Sequence, residues 1–185
     1  MPELPEVETV KETLKKQVLN DTILEVEVNW DNIIEYPTVE EFKKQIKNQK
    51  INDIKRRGKW LMFYLDDYVL LSHLRMEGRY FIKHDEEVTK HEHVIFKLKS
   101  GRTLRYIDTR KFGKMHLIKK EEVMTSEPLK SLGLEPWDKN LDINYLKEKY
   151  KNKRLPIKTV LLDQSILVGH GNIYADEVLF LSKIN

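Results

Sequence analysis

Residues 1–10 read Met1-Pro2-Glu3-Leu4-Pro5-Glu6-Val7-Glu8-Thr9-Val10 and predict a helix that starts almost at the first residue. Proline is favoured in the first turn of a helix, and carboxylates are favoured near its positive end. Further along, the apolar side chains recur with helical spacing, at Val7, Val10, Leu14 and Val18. The stretch therefore predicts one amphipathic helix directly after the terminal residues.

The same stretch places an unusual amine at the terminus. If the initiator methionine is removed, Pro2 becomes a secondary amine with the carboxyl group of Glu3 beside it. Such an amine can attack a sugar C1′ and form an iminium (Schiff base), chemistry that lysine amines perform elsewhere. The reference pKa of an α-amino group, about 7.7–8.0, leaves a neutral fraction near neutral pH. The alternative, that Pro2 and Pro5 only start the helix, stays open on these residues alone.

Beyond this helix the pattern becomes mainly β. Leu24, Val26 and Val28 alternate with polar residues as a half-buried strand, and a second, capped helix is predicted to begin at Thr38. The pair Ser100-Gly101 indicates a hairpin between two alternating runs. Further strands are predicted at residues 59–65, 68–74, 79–83, 94–98, 102–107 and 114–118.

The last third of the chain has a different pattern of polar and apolar residues. Residues 120–140 are polar, contain two prolines and show no period, which predicts a linker. Helical patterns return at residues 143–150, 157–162 and 172–181. We therefore expect an α+β protein with an N-terminal domain at 1–119, a linker at 120–140 and a small helical domain at 141–185.

Composition excludes several classes of protein. Lysine and arginine exceed aspartate and glutamate by 33 to 30, so a polyanionic partner must be argued from where the charges lie. The chain has no cysteine, which excludes disulfides, a thiol nucleophile and a thiolate zinc site. No apolar run approaches the roughly 18 residues of a membrane span, and the acidic start is unlike a secretory signal. We expect a cytoplasmic protein without a membrane partner.

Six blocks of sequence, in order, resemble the formamidopyrimidine-DNA glycosylases, which are bacterial base-excision repair enzymes. They are MPELPEVET at the N-terminus, HLRMEGR at 73–79, KHEHV at 90–94, YIDTRKFG at 106–113, LGLEPW at 132–137, and LDQ with GNIYADE between 162 and 177. The resemblance implies a two-layer β-sandwich fronted by the first helix. It also implies a helix-two-turn-helix module, here partial, with DNA bound in the cleft between the two.

The resemblance assigns chemistry to four residues. It implies that Pro2 is the nucleophile and that Glu3 handles protons during base loss and opening of the sugar ring. It matches Lys59, which ends the basic run KRRGK at 55–59, to a catalytic lysine near the lesion. Glu6 also belongs to the motif, and we expect it to orient the terminus.

Three residues match positions that enter the base stack. An enzyme that acts at C1′ must take the base out of the duplex, which costs a few kcal/mol, and a wedge side chain then fills the gap. The resemblance places Met76, Arg110 and Phe112 there. A methionine or phenylalanine near a strand end is more often part of a core, which is the alternative. Arg75 and Glu77 stand where the family commonly has a glycine and a small residue.

A further group is expected to bind DNA phosphates. Residues 149–158 contain five basic residues and no acidic one, a cluster suited to a nucleic-acid backbone. By resemblance Lys153 and His91 contact DNA. We also expect Lys158, from the same cluster, and Arg110 to bind DNA. His91 is alternatively a strand-edge histidine with a local partner. Gly169-His170-Gly171-Asn172 opens the last helix, where Asn172 either caps the helix or donates its amide to a phosphate.

Together these residues predict a monomeric glycosylase with AP (β,δ) lyase activity. Its expected partner is damaged double-stranded DNA, from which it removes oxidised and ring-opened purines. Longer family members bind one structural zinc through four cysteines, so no cofactor is expected in this cysteine-free chain, which is either a fragment or a shortened relative. Two alternatives remain: a non-catalytic DNA-binding remnant, and an endonuclease VIII-like enzyme acting on oxidised pyrimidines.

Overall fold

Residues 1–123 contain two five-stranded sheets in the computed structural model, which describes all of residues 1–185. The strands are β1 Thr22–Val28, β2 Ile34–Tyr36, β3 Gln49–Lys50, β4 Asp53–Arg57, β5 Trp60–Tyr64, β6 Tyr68–His73, β7 Arg79–Lys83, β8 Glu92–Leu98, β9 Thr103–Ile107 and β10 Lys114–Lys119. One sheet has the order β3-β1-β8-β9-β7 and the other β2-β10-β6-β5-β4. All pairs are antiparallel except β2 with β10.

Two helices pack on this unit, α1 Leu4–Val18 and α2 Val39–Ile46. The buried face of α1 consists of Val7, Leu14 and Val18, so its 3.6-residue period was a correct prediction. Thr38 caps α2 by accepting a hydrogen bond from the Glu41 backbone N–H at 3.2 Å. Fully burying one large apolar side chain contributes about 1.5–3 kcal/mol, and the core of this unit draws such side chains from both helices and both sheets.

A buried ionic cluster orders the segment before β8. The Glu92 carboxylate accepts hydrogen bonds from Lys83, from the Thr89 backbone N–H and from Arg105. Burial opposes ionisation of Glu92, but the bonds from Lys83 and Thr89 outweigh it, so its pKa lies below its usual value. Arg105 also donates to backbone carbonyls of residues 84 and 86. The segment leading to His91 is therefore tied to β9.

Residues 124–185 form a second unit around three short helices, α3 Ile143–Tyr150, α4 Ile157–Leu161 and α5 Asn172–Leu181. Its buried apolar side chains are few: Leu129, Val160, Ile166, Val168 and Ala175. An isolated parallel bridge joins Leu134 to Leu167. Gly133 lies so close to Ile166 that an added Cβ would come within 2.3 Å of its backbone, so only glycine fits.

The α+β class, the N-terminal helix with its β-sandwich and the later helices are confirmed. Three strands were missed: β2, β3 and β4. Residues 55–57 of the basic run, which was not predicted to be a strand, belong to β4, at the edge of the second sheet. Edge strands often carry charged side chains, because charge discourages pairing with another chain. None of the helices is long and apolar enough for a membrane span.

Candidate functional site

The start of α1 fixes the terminal residues. Glu3 is the N-cap of α1 and only 2% exposed, and its backbone N–H donates to Glu6 Oε2 at 2.9 Å, the reciprocal bond of a capping box. The Glu3 carbonyl accepts from the Val7 N–H at 3.0 Å. Pro2 is partly buried beside it. Glu6 thus holds the backbone next to the predicted nucleophile, which is the contact that an orienting residue needs.

Lys59 lies in the turn between β4 and β5 and is 6% exposed. The preceding Gly58 has φ +57°, a left-handed conformation that favours glycine, and this turn directs the chain into the apolar strand β5. Burial lowers the pKa of Lys59, the Glu3 carboxylate opposes this shift, and the positive charge of Arg75 adds to it. The structure therefore brings Glu3, Lys59 and Arg75 close enough for their charges to interact.

His73 is a neighbour of this cluster that the sequence analysis did not single out. It ends β6, pairs with Trp60 across the sheet, and its Nδ1 accepts from the Arg75 N–H at 3.0 Å. Burial, and then the charges of Arg75 and Lys59, lower the pKa of His73 to about 3. The Trp60 ring meets it edge-on at 4.9 Å between centroids. His73 is therefore a neutral acceptor near neutral pH, and its place at the start of the block HLRMEGR is the sequence signal that could have located it.

The three predicted insertion residues are all exposed. Met76 lies in the loop after β6, next to Arg75, which has φ +54°. Arg110 and Phe112 lie in the loop between β9 and β10, and the Arg110 guanidinium stacks on the Phe112 ring at 4.9 Å from its centroid. Because Met76 and Phe112 are 39% and 48% exposed, the alternative that they belong to the core is wrong.

His91 precedes β8 and is partly buried. Its ring Nδ1 is enclosed and has no hydrogen-bond partner within the protein, so the alternative of a histidine satisfied by a local partner is wrong at this atom. A buried polar atom without a partner costs about 1–3 kcal/mol.

The predicted phosphate-binding lysines of the second unit are paired with carboxylates, which the sequence did not indicate. Lys153 Nζ lies 3.6 Å from Asp163 Oδ2, and Lys158 Nζ lies 2.7 Å from Asp176 Oδ1. Each lysine side chain is 41% exposed. Exposed pairs of this kind are worth about 0–1 kcal/mol, so a phosphate can compete for either ammonium.

The start of α5 differs in one respect from the expectation. Gly171 is the N-cap and Asn172 is the first helical residue, so the capping role considered for Asn172 is wrong, and its exposed amide is available to a ligand. The side chain of Gln164, which sequence reasoning passed over, orders the preceding turn. Its Oε1 accepts from the Gly169 N–H at 2.9 Å, and its Nε2 donates to the His170 carbonyl at 3.1 Å.

No group of three or more histidine, aspartate or glutamate side chains is arranged to hold a metal ion. The chain has no cysteine. These residues therefore do not fit the four-cysteine zinc site of longer family members, and no step of the chemistry below uses a metal.

Comparison with known proteins places this geometry in a family. Residues 1–115 match the sequence model of the formamidopyrimidine-DNA glycosylase N-terminal domain, and residues 132–185 match that of its H2TH domain. Formamidopyrimidine-DNA glycosylases of Oceanobacillus iheyensis and Shouchella clausii are 50% and 51% identical over 187 residues. Those alignments cover 100% of this chain and 67% and 68% of the relatives.

Solved structures agree. Lactococcus lactis Fpg in complex with abasic-site DNA is 39% identical, with a TM-score of 0.90 over 99% of this chain and 68% of that one. The same protein with N7-benzyl-Fapy-dG DNA is 40% identical, with a TM-score of 0.91 over 100% and 68%. The chain belongs to the formamidopyrimidine-DNA glycosylases, a family of DNA repair enzymes.

Proposed function

We propose that this protein excises oxidised and ring-opened purines, such as 8-oxoguanine and formamidopyrimidines, from duplex DNA and then cleaves the strand by β,δ-elimination. The observation that carries the proposal is the pairing of two buried ionisable groups, Glu3 and Lys59, next to the terminal residues. Burying an ammonium and a carboxylate is costly, and such groups concentrate at sites of proton transfer.

In the proposed reaction, removal of Met1 frees the Pro2 nitrogen. Its lone pair forms a bond to C1′ while the bond from C1′ to the base breaks, and the base leaves with that electron pair and takes up a proton. The nitrogen then loses its proton, the C1′–O4′ bond breaks as O4′ is protonated, and an iminium forms. Loss of the C2′ proton expels the 3′ phosphate, and a second elimination expels the 5′ phosphate.

Glu3 and Lys59 are suited to the proton transfers of this sequence. Glu3 is held at the N-cap of α1 and directly follows Pro2 in the chain, which suits it to proton transfer on a sugar bonded to the Pro2 nitrogen. Lys59 has a lowered pKa, so its ammonium gives up a proton more readily than an exposed lysine does. Each group directly precedes a regular element, Glu3 the helix α1 and Lys59 the strand β5, which restricts its geometry.

The exposed residues supply binding. Met76, Arg110 and Phe112 would occupy the space left by the extruded nucleotide, at loop tips where they cost no core packing. His91, Lys153, Lys158 and Asn172 would hold phosphates, and the exposed amide of Asn172 and the 41% exposed lysine side chains support that role. The solved Lactococcus lactis relatives were bound to abasic-site and formamidopyrimidine-type DNA, which supports the substrate class.

Oxidised pyrimidines are a second candidate substrate class. The observation that favours them is a further Lactococcus lactis Fpg structure, 40% identical with a TM-score of 0.91, that contains oxidised-pyrimidine DNA. Both classes therefore belong in the same assay.

The test is single-turnover base release and strand cleavage on three matched duplexes that contain 8-oxoguanine, an oxidised pyrimidine or no lesion. We expect the fastest reaction on 8-oxoguanine, with phosphate at both ends of the gap, as β,δ-elimination requires. Glu3→Gln should lower the rate of base release by about 100-fold, in the range for general acid–base groups. Faster release of the pyrimidine would reassign the substrate, and DNA binding without release from any duplex would favour the non-catalytic remnant.

A further inference from the structure

Asp108 directly follows β9 and is fully buried at the root of the loop that carries Arg110. Its carboxylate accepts four hydrogen bonds. Oδ1 accepts from the backbone N–H groups of Arg110 and Lys111, both at 3.1 Å. Oδ2 accepts from the Gly113 N–H at 2.8 Å and from the Tyr106 hydroxyl at 2.9 Å. The path of this loop is therefore set by one carboxylate.

The loop would not keep this path unaided. Lys111 has φ +60°, a conformation that non-glycine residues rarely adopt and that persists only where the surroundings enforce it. Its own N–H is one of the donors bound to Asp108. Gly113 is pressed against the same pair, because an added Cβ would lie 1.6 Å from the Tyr106 hydroxyl oxygen. The Asp108 carboxylate and the Tyr106 hydroxyl thus pack directly against the backbone of the loop that carries Arg110.

The Tyr106 hydroxyl also touches the other insertion loop. A Cβ at Gly78 would lie 2.4 Å from this oxygen, so the loop that carries Met76 packs on the same group. The Gly78 N–H closes that loop by donating to the Leu74 carbonyl at 2.9 Å. One buried hydroxyl therefore contacts the bases of both loops that carry the exposed insertion residues.

The backbone of Asp108 holds a third segment. Its N–H donates to the His91 carbonyl at 3.0 Å, and its carbonyl accepts from His93 Nε2 at 2.7 Å. His91, the histidine with the unpartnered Nδ1, is thus attached to the same point. Three segments with predicted DNA contacts therefore meet at two buried residues: Tyr106, in β9, and Asp108, directly after β9.

We propose that Tyr106 and Asp108 are positioning residues for base extrusion: together they set the spacing between Met76 and the pair formed by Arg110 and Phe112. This inference rests on the proposed base-excision function. Both side chains are buried, so they act through the loops and do not touch the DNA. Loss of either should slow the unstacking of the lesion more than it slows the chemistry at Pro2.

Two substitutions separate the contributions. Asp108→Asn keeps the shape but replaces one acceptor oxygen by a donor amide, so one pair of the four donors loses its acceptor. Tyr106→Phe keeps the ring and removes only the oxygen that contacts Gly78, Gly113 and Asp108. Asp66→Asn is the matched control, because Asp66 also accepts a backbone and a side-chain bond, from Lys50 and Asn52, in an unrelated turn.

The primary measurement is stopped-flow fluorescence of 2-aminopurine placed beside 8-oxoguanine in a duplex, which rises as the stack opens. We expect the rate of this rise to fall about tenfold in Asp108→Asn and about threefold in Tyr106→Phe, while Asp66→Asn matches the wild type; tenfold corresponds to about 1.4 kcal/mol. Borohydride trapping on a single-stranded abasic oligonucleotide needs no unstacking, so we expect all three variants to trap within twofold of the wild type.

Unstacking at the wild-type rate in both Asp108→Asn and Tyr106→Phe would overturn the proposal. Equal losses in the fluorescence and trapping rates would overturn it as well, because they indicate general distortion. If Asp108→Asn does not fold, Tyr106→Phe decides by the same two rates. Failure of the wild type to trap the single strand would instead refute the proposed chemistry, and the fluorescence rates would still report on positioning.

Discussion

The candidate site residues of the first unit lie on or beside a large buried core, whereas those of the second unit lie on short helices with few buried side chains. Glu3 and Lys59 are 2% and 6% exposed, and the loops of Met76 and Arg110 rest on a buried pair. Lys153 and Lys158 have side chains that are 41% exposed, and the carboxylates paired with them are 33% and 59% exposed. Covalent chemistry needs groups kept within fractions of an ångström, but attraction of a phosphate needs only a nearby charge.

This contrast predicts different consequences for substitutions in the two units. Changes beside the terminus should alter rate constants with little dependence on salt. Changes in the basic residues of the second unit should alter affinity and its salt dependence, while the rate at saturation stays the same.

The largest effect is expected for Lys59→Met, which keeps an unbranched side chain of nearly the same length and removes its amine. Base release from an 8-oxoguanine duplex should slow by about 100-fold or more in single-turnover assays, the range for general acid–base groups. The melting temperature should fall, because the buried Glu3 carboxylate loses its positive neighbour, so rates are compared well below the melting temperature of the variant. Lys55→Met, at an exposed lysine stacked on Tyr64, is the control. Release within threefold of the wild type would remove Lys59 from the chemistry.

A second, smaller effect is expected from Lys153→Ala combined with Lys158→Ala. The slope of log affinity against log salt is negative, and it should become shallower by about 0.9 for each phosphate that the protein no longer neutralises. Saturating single-turnover rates should stay within twofold of the wild type. Lys43→Ala, at an exposed lysine of α2, should leave the slope unchanged. An unchanged slope in the double variant would show that the basic cluster does not bind DNA.

Asp176→Asn should produce a smaller change of opposite sign. It removes the carboxylate 2.7 Å from Lys158 Nζ, so the lysine no longer has to leave a partner to meet a phosphate. Because exposed pairs are worth about 0–1 kcal/mol, DNA binding at low salt should tighten by no more than about fivefold. Asp142→Asn, at the N-cap of α3, provides a matched loss of charge. Weaker binding by Asp176→Asn would contradict a role for Lys158 in phosphate contact.

The smallest effect concerns pH and stability. His73 has a pKa of about 3 in the folded protein against an ordinary value of 6.5, so the unfolded chain takes up the proton first as the pH falls. The folded state therefore loses stability from His73 between about pH 6.5 and pH 3. His73→Asn keeps an acceptor for the Arg75 N–H and should flatten the fall of melting temperature across that window. Parallel curves for the two proteins would show that His73 is not buried as a neutral group.

Much of the fold could be predicted from local patterns. The helical period of Val7, Leu14 and Val18 follows from burial of one face, and β5, β6, β8 and β10 are largely apolar runs because they are buried along most of their length. Strand β4 was not predicted, because its charged residues, at 55–57, resemble a solvated surface segment unless the sheet edge is known. Strands β2 and β3 are three and two residues long, too short to show a period.

The candidate site was only partly predictable, because its missing members come together through tertiary structure. Arg75 and His73 reach Lys59 because β5 and β6 pair with Trp60 opposite His73. Asp108 was quoted within a motif, yet its four bonds depend on how the following loop returns to Tyr106. The partners of Lys153 and Lys158 are 10 and 18 positions away along the chain, so no local pattern indicates them.

The central claim is that the amine of Pro2 forms a covalent iminium with the damaged sugar, and borohydride trapping tests it most directly. Protein whose mass shows removal of Met1 is mixed with an abasic-site duplex, reduced, digested and sequenced by mass spectrometry, beside protein that retains Met1. We expect a crosslink on Pro2 in the processed protein and none in the blocked one. A crosslink on Lys59, or no crosslink in the processed protein, would contradict the account.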